Sequence, residues 1–189
     1  MNLLVVAAQA GQSGPYIKAA SKAGWRIACE SSYEKLPSVL TAVQAEAAVL
    51  IAEHVDDVVL KTVRMLNNSW PMPVVLYTGD SLQRSIRAAV TAGVSVYVVD
   101  CHNANRIGAL LEVAMIRFKE SQDLKKELHK AKTTLAERNT VEKAKGIIMR
   151  QRQVNEDTAY RLLRKLAMDR NRRIGEVAGE VIAAAEVLI

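Results

Sequence analysis

The sequence predicts an α/β body with a doubly wound parallel sheet, then one long helix, then a small three-helix module. Three observations carry this. Between Met1 and about Asp100, five short apolar runs alternate with amphipathic helical stretches, the pattern of a parallel sheet covered on both faces. Beyond them, Leu110, Ala114, Arg117, Ser121, Leu124, Leu128, Ala131 and Leu135 are spaced alternately by four and three, a heptad seam. From Arg138 to Ile182, apolar residues again recur at helical spacing inside a strongly basic stretch. The expected boundaries are 1–102 for the body, 103–135 for a coiled-coil helix and 136–189 for the tail module.

Taken in order, the strands are Asn2 to Ala8, Trp25 to Cys29, Ala47 to Ala52, Pro73 to Tyr77 and Ser95 to Val99. The helices between them are Pro15 to Ala23, Glu34 to Gln44, Asp56 to Asn67 and Leu82 to Ala92, with Gly24, Gly93, Pro71 and Pro73 supplying the breaks. Right-handed crossovers between such strands leave a flavodoxin-like topology. Chemistry in such folds sits at the carboxyl ends of the strands. Here those ends read Ala7-Ala8-Gln9, Ala52-Glu53, Thr78-Gly79 and Val99-Asp100. They are nearly bare of chemistry.

This layout resembles the receiver domain of two-component response regulators. A working receiver needs clustered carboxylates for Mg²⁺, an aspartate that accepts the phosphoryl group and a lysine that pairs with it. Set on that pattern, V-V-A-A puts Ala7 and Ala8 where the metal-binding acids belong. A-A-V-L-I-A puts Ala52 in the acceptor slot, and Asp100 falls at the lysine position. Only Thr78 and Tyr97 match, and both read as scaffold. Glu53 could reach the strand end by a one-residue slip, but a slip flips every side chain of the strand to the other face. The resemblance therefore implies a degenerate phosphorylation site and a pseudo-receiver switched by a binding partner.

Charge divides the chain. Residues 1–116 hold nine Lys/Arg and nine Asp/Glu, whereas residues 117–189 hold seventeen and eleven, the whole excess of six. A neutral front and a basic back point to a regulatory body joined to an end that binds a polyanion. No apolar run approaches a membrane span, and M-N-L-L-V-V-A-A lacks a basic leader, so the expectation is a cytoplasmic protein off the membrane. Cys29 and Cys101 are expected to be free thiols. His54, His102 and His129 are scattered, and no nucleophile–base pair, metal cluster or phosphate loop is visible. The expectation is no enzyme, no cofactor and no metal.

In the tail, Val141, Ala144 and Ile148, then Ala159, Leu162, Leu163 and Leu166, then Val177, Ala178, Val181 and Ile182 mark three short helices. Gln151 to Asn155 and Arg170 to Arg173 are the polar breaks between them. Leu135-x-x-Arg138, V-E-K-A-K-G-I-I-M at Val141 to Met149, A-Y-R-L-L-R at Ala159 to Arg164 and E-V-A at Glu176 to Ala178 are similar to the ANTAR domain. That family comprises RNA-binding antiterminators, commonly joined to receiver-like domains through a coiled coil, and the match looks nearest its NasT type. Ile174-Gly175 departs from a good start for the third helix.

Phosphate neutralisation needs Lys and Arg, and unstacked loop bases need a planar group to lie on. The candidates for RNA contact are Arg138, Lys145, Arg150, Arg152, Tyr160, Arg161, Arg164, Lys165, Arg172 and Arg173, with Arg170 in the same turn. The resemblance favours Arg138, Lys145, Tyr160 and Arg164. Blander roles are a pairing of Arg164 with Glu180 and a Tyr160 that caps the core. Ala144 and Gly146 suit close helix packing, while Ile148, Met149, Leu163 and Val177 read as core. Leu110, Ala114, Leu124, Leu128, Ala131 and Leu135 are the candidate contacts of a parallel homodimer.

The resemblance implies binding to leader RNA hairpins, relief of transcription termination, and control by a soluble nitrate- or nitrite-sensing protein partner for nitrate assimilation genes. A DNA-binding response regulator and a small flavodoxin-like enzyme are the alternatives.

Overall fold

The structure is a computed structural model and describes residues 1–8, 11–99 and 104–187. Asp100, Cys101 and His102 lie outside the described residues. The chain divides into two compact units, Met1–Gln122 and Asp123–Ile189.

In the first unit the strands are β1 (Asn2–Ala7), β2 (Arg26–Ser31), β3 (Ala47–Ala52), β4 (Val74–Thr78) and β5 (Val96–Val99). The helices between them are α1 (Gly14–Lys22), α2 (Leu36–Leu40), α3 (Asp57–Ser69) and α4 (Gln83–Ala92). All strands are parallel, in the order β2-β1-β3-β4-β5, the flavodoxin-like order. β1, β3 and β4 are apolar at nearly every position because helices cover both faces of the sheet. Side-chain alternation sends Leu4, Val6, Leu50 and Leu76 into one core with Leu36, Val63, Leu66 and Ala89. Leu3, Val5, Val49, Val75 and Tyr77 enter the other core with Tyr16, Ile107, Leu111 and Ala114.

Helix ends follow local chemistry. Asp56 caps α3 by accepting from the Val59 amide at 2.9 Å. Gly93 ends α4 at φ 116°, and a Cβ there would lie 2.7 Å from Asn67 Nδ2. Only α2 falls well short of its expected span, at five residues with Pro37 in its first turn.

The register pairs Ala52 with Thr78, the last residues of β3 and β4. Glu53 follows the strand and is exposed. Thr78, fully buried, donates its hydroxyl to the Glu53 carbonyl at 3.0 Å and accepts from the Asp80 amide at 3.1 Å. The Tyr97 hydroxyl donates to the Asp80 carbonyl at 2.7 Å, and burial, helped by Asp80, pushes it up to about 12. Both side chains thus brace the loop after β4.

α5 (Ile107–Arg152) is a single helix of 46 residues. The first of the three expected short tail helices is therefore its last part, because nothing between Leu135 and Arg152 interrupts the backbone hydrogen-bond ladder. Ile107, Leu111 and Ala114 pack into the body's own core, where Ala114 is fully buried. This corrects the expected seam. Ala114 is sealed inside its own domain, and Leu110 packs against that same core.

In the second unit the end of α5 packs with α6 (Glu156–Asp169) and α7 (Ile174–Val187). Asn155 caps α6 by accepting from the Thr158 amide at 3.0 Å, and Glu156 and Asp157 complement its positive end. Arg173 serves as the turn before α7, its carbonyl accepting from the Glu176 and Val177 amides. The core is Ala144, Leu163, Ala167, Val177 and Ala178, with Val141, Ile148, Ile174, Val181 and Ile182 packed against it. Leu166, one of the apolar residues that mark α6, is exposed. Met149 is only half-buried.

Gly146 does not serve close packing: a Cβ built there meets no heavy atom within 4 Å. Replacing it with alanine should stabilise the protein by about 0.5–1 kcal/mol through helix propensity alone. The denaturant midpoint should rise at unchanged m-value. A fall would reveal a contact at this position that the structure lacks.

Candidate nucleic-acid interface

α6 has one face committed to the core through Ala159, Leu163 and Ala167. Helical spacing then sets Tyr160 and Arg164 one turn apart on a neighbouring stripe that solvent reaches. The chain turns at Asn171, which takes the left-handed conformation at φ 51° just past the helix end. That turn brings Arg172, Arg173 and Ile174 back beside the stripe. The result is an open basin of about 520 Å³ lined by Tyr160, Arg164, Ala167, Met168, Asn171 and Arg172 to Ile174. The Tyr160 residue is 42% exposed. Four of the expected contacts, Tyr160, Arg164, Arg172 and Arg173, thus converge on one surface.

The charges there are unequal. Arg172 donates from Nε to Glu176 at 3.0 Å and from Nη1 to Glu180. Arg170 Nη1 donates to the other Glu180 oxygen at 2.5 Å. The carboxylates, Glu176 first and then Glu180, hold the Arg172 guanidinium above its already high range. Glu180 is committed to these two arginines and not to Arg164. Among the described residues, Arg164 and Arg173 have no ion-pair partner.

Lys145 departs most from expectation. It is 7% exposed, and its Nζ lies 2.8 Å from a Glu142 oxygen and 2.7 Å from a Glu156 oxygen. Glu142 and then Glu156 raise its affinity for the proton, and Lys145 in turn lowers that of Glu156. Its charge is neutralised inside the module, where it ties α5 to the first turn of α6. Its ammonium is thus not a free phosphate contact.

The remaining candidates are scattered around the module. Arg161 pairs with Asp157 at 2.6 Å. Arg150 bonds to the carbonyl of Gly146. Arg152 lies on a separate groove of about 260 Å³ whose floor is Ile148, Leu162, Leu163, Leu166 and Val181. Arg138 and Lys165 are exposed and do not line the basin. The sequence reading missed Met168, Asn171 and Ile174. The polar break at Arg170 to Arg173 marked the turn, and an asparagine after a helical run is the signal for its left-handed residue.

On α5, Leu124, Leu128 and Leu135 are 67%, 53% and 60% exposed, and Ala131 is exposed with them. Among the described residues no group of His, Cys, Asp and Glu could hold a metal ion, and no helix is long and apolar enough to cross a membrane.

Residues 129–182 match the ANTAR domain model. The transcriptional regulatory protein PdtaR of Mycobacterium tuberculosis is 28% identical over 151 residues, covering 72% of this chain and 74% of that protein. A nitrate regulatory protein of Klebsiella oxytoca is 39% identical over 69 residues, covering 36% of this chain but 17% of that protein. A receiver-domain protein from Methanospirillum hungatei superposes with TM-score 0.55 at 11% identity, over 64% of this chain and 97% of that one. A two-component response regulator from Clostridium difficile superposes with TM-score 0.55 at 15% identity, over 62% and 97%.

Proposed function

We propose that this chain, a receiver-fold domain joined to an ANTAR domain, is a cytoplasmic, non-enzymatic antiterminator that binds hairpins in a nascent leader transcript. Binding disfavours the overlapping terminator hairpin, and polymerase continues. The observation that carries this reading is the basin. An exposed tyrosine ring stands beside Arg164 and Arg173, two cations without an ion-pair partner among the described residues. A ring accepts an unstacked loop base, and the arginines meet the phosphates on either side.

Control comes from a protein partner. The body has Ala7, Ala8 and Ala52 where a receiver holds its metal-binding and acceptor acids, and Glu53, just past the end of β3, faces solvent. Similarity to a nitrate regulatory protein over 69 residues supports nitrate or nitrite assimilation genes as targets, and the partner in this reading is a soluble protein that senses those anions. The protein acts as a homodimer along α5 through Leu124, Leu128, Ala131 and Leu135.

The test is a mobility-shift comparison of leader RNA with duplex DNA of the same sequence. The full chain should shift the hairpin RNA and leave the duplex free at moderate salt. Incubation with acetyl phosphate and Mg²⁺ should leave its mass unchanged. Preference for the duplex would move the reading to a DNA-binding response regulator, and a stable phosphoryl adduct would overturn control by partner alone.

A further inference from the structure

The module carries its own competitor for phosphate. Glu176 and Glu180 lie one helical turn apart on α7, and between them they occupy Arg172 on two of its donor atoms and Arg170 on one. Arg172 lines the basin, while Arg164 and Arg173 beside it carry no such partner among the described residues. A guanidinium bound this way presents a neutralised edge to the basin. An RNA phosphate reaches it only by displacing a carboxylate, which then takes up a counterion from solution.

That exchange has a signature. A free arginine meeting a phosphate releases a condensed cation, and log affinity then falls with log salt in proportion to the contacts made. An arginine taken from a carboxylate releases one cation and costs another, so it adds almost nothing to the slope. Resting on the RNA-binding reading above, we infer that Glu176 and Glu180 form an internal brake, a resident phosphate mimic that holds Arg170 and Arg172 out of the RNA interface and limits affinity. The partly exposed setting suits this. All four side chains are between 40% and 53% accessible, so the pairs are reversible, and in such surroundings pairing adds little stability.

The experiment uses the full-length protein and a leader transcript carrying two hairpins, titrated from low to moderate salt. Glu176→Gln with Glu180→Gln keeps the size and hydrogen-bonding capacity of both side chains and removes their charge. Glu120→Gln with Glu127→Gln, on exposed residues of α5, controls for the same change of two charges. Relative to wild type, the double variant should bind about fivefold or more tightly at 0.1 M salt, with a slope steeper by about 0.7 for each arginine released. The control should match wild type in slope. Thermal melting of each variant reports whether the fold is intact.

If wild type binds the transcript and the double variant binds with equal affinity and slope, the brake is refuted while RNA binding stands. If Glu120→Gln with Glu127→Gln tightens binding as much, the effect is one of bulk charge and the brake is likewise refuted. Failure of every form to bind looped RNA overturns the brake together with the reading beneath it.

Discussion

Replacing Tyr160 with alanine should lower affinity for looped RNA by roughly ten- to a hundred-fold, the worth of one base–aromatic stack. The ring carries no charge, so the slope of log affinity against log salt should stay as in wild type. Arg164→Gln should act the other way: a loss that is greatest at low salt and shrinks as salt rises, with a slope reduced by about 0.7–0.9. Lys145→Met supplies the contrast. Its ammonium is already neutralised by Glu142 and Glu156, so the slope should hold even if loosening α5 from α6 lowers affinity. A reduced slope in Lys145→Met would return that lysine to the interface. An unchanged affinity in Tyr160→Ala would remove the basin from it.

Glutamate at both Leu124 and Leu128 should convert a dimer to a monomer by sedimentation equilibrium. Both leucines are more than half exposed in the single chain, an apolar surface that a soluble helix retains when a partner covers it. Burying four such side chains across a two-stranded seam contributes on the order of 6 kcal/mol or more, and the new carboxylates would face one another across it. The effect on mass should therefore be complete at micromolar concentration. A wild-type chain that already sediments as a monomer, or a double variant of unchanged mass, would refute the seam.

The body was legible because β1, β3 and β4 are buried on both faces. A run such as Ala47 to Ala52 has no polar position to confuse the period, and the glycines and prolines between runs mark the turns. What escaped reading is long-range by nature. Ala114 and Leu124 share one heptad spacing, but the first packs on the sheet and the second faces solvent. Periodicity identifies an apolar stripe without saying what covers it. Lys145 looked like any helical cation. One of its partners, Glu142, lies three residues away and was readable in principle, but Glu156 meets it only across the turn from α5 to α6. The same holds for Arg170 and Arg172, neutralised by carboxylates on α7. Tyr160 and Arg164 were legible because both stand four residues apart on one helix and need no tertiary contact to share a side.

The most direct measurement of the central claim is single-round transcription through the leader of the neighbouring genes, with purified polymerase and the full-length protein. The protein should raise the fraction of full-length transcript, and Tyr160→Ala should raise it far less at the same concentration. Read-through that stays at the protein-free level, on a template whose RNA the protein demonstrably binds, would contradict antitermination as the function.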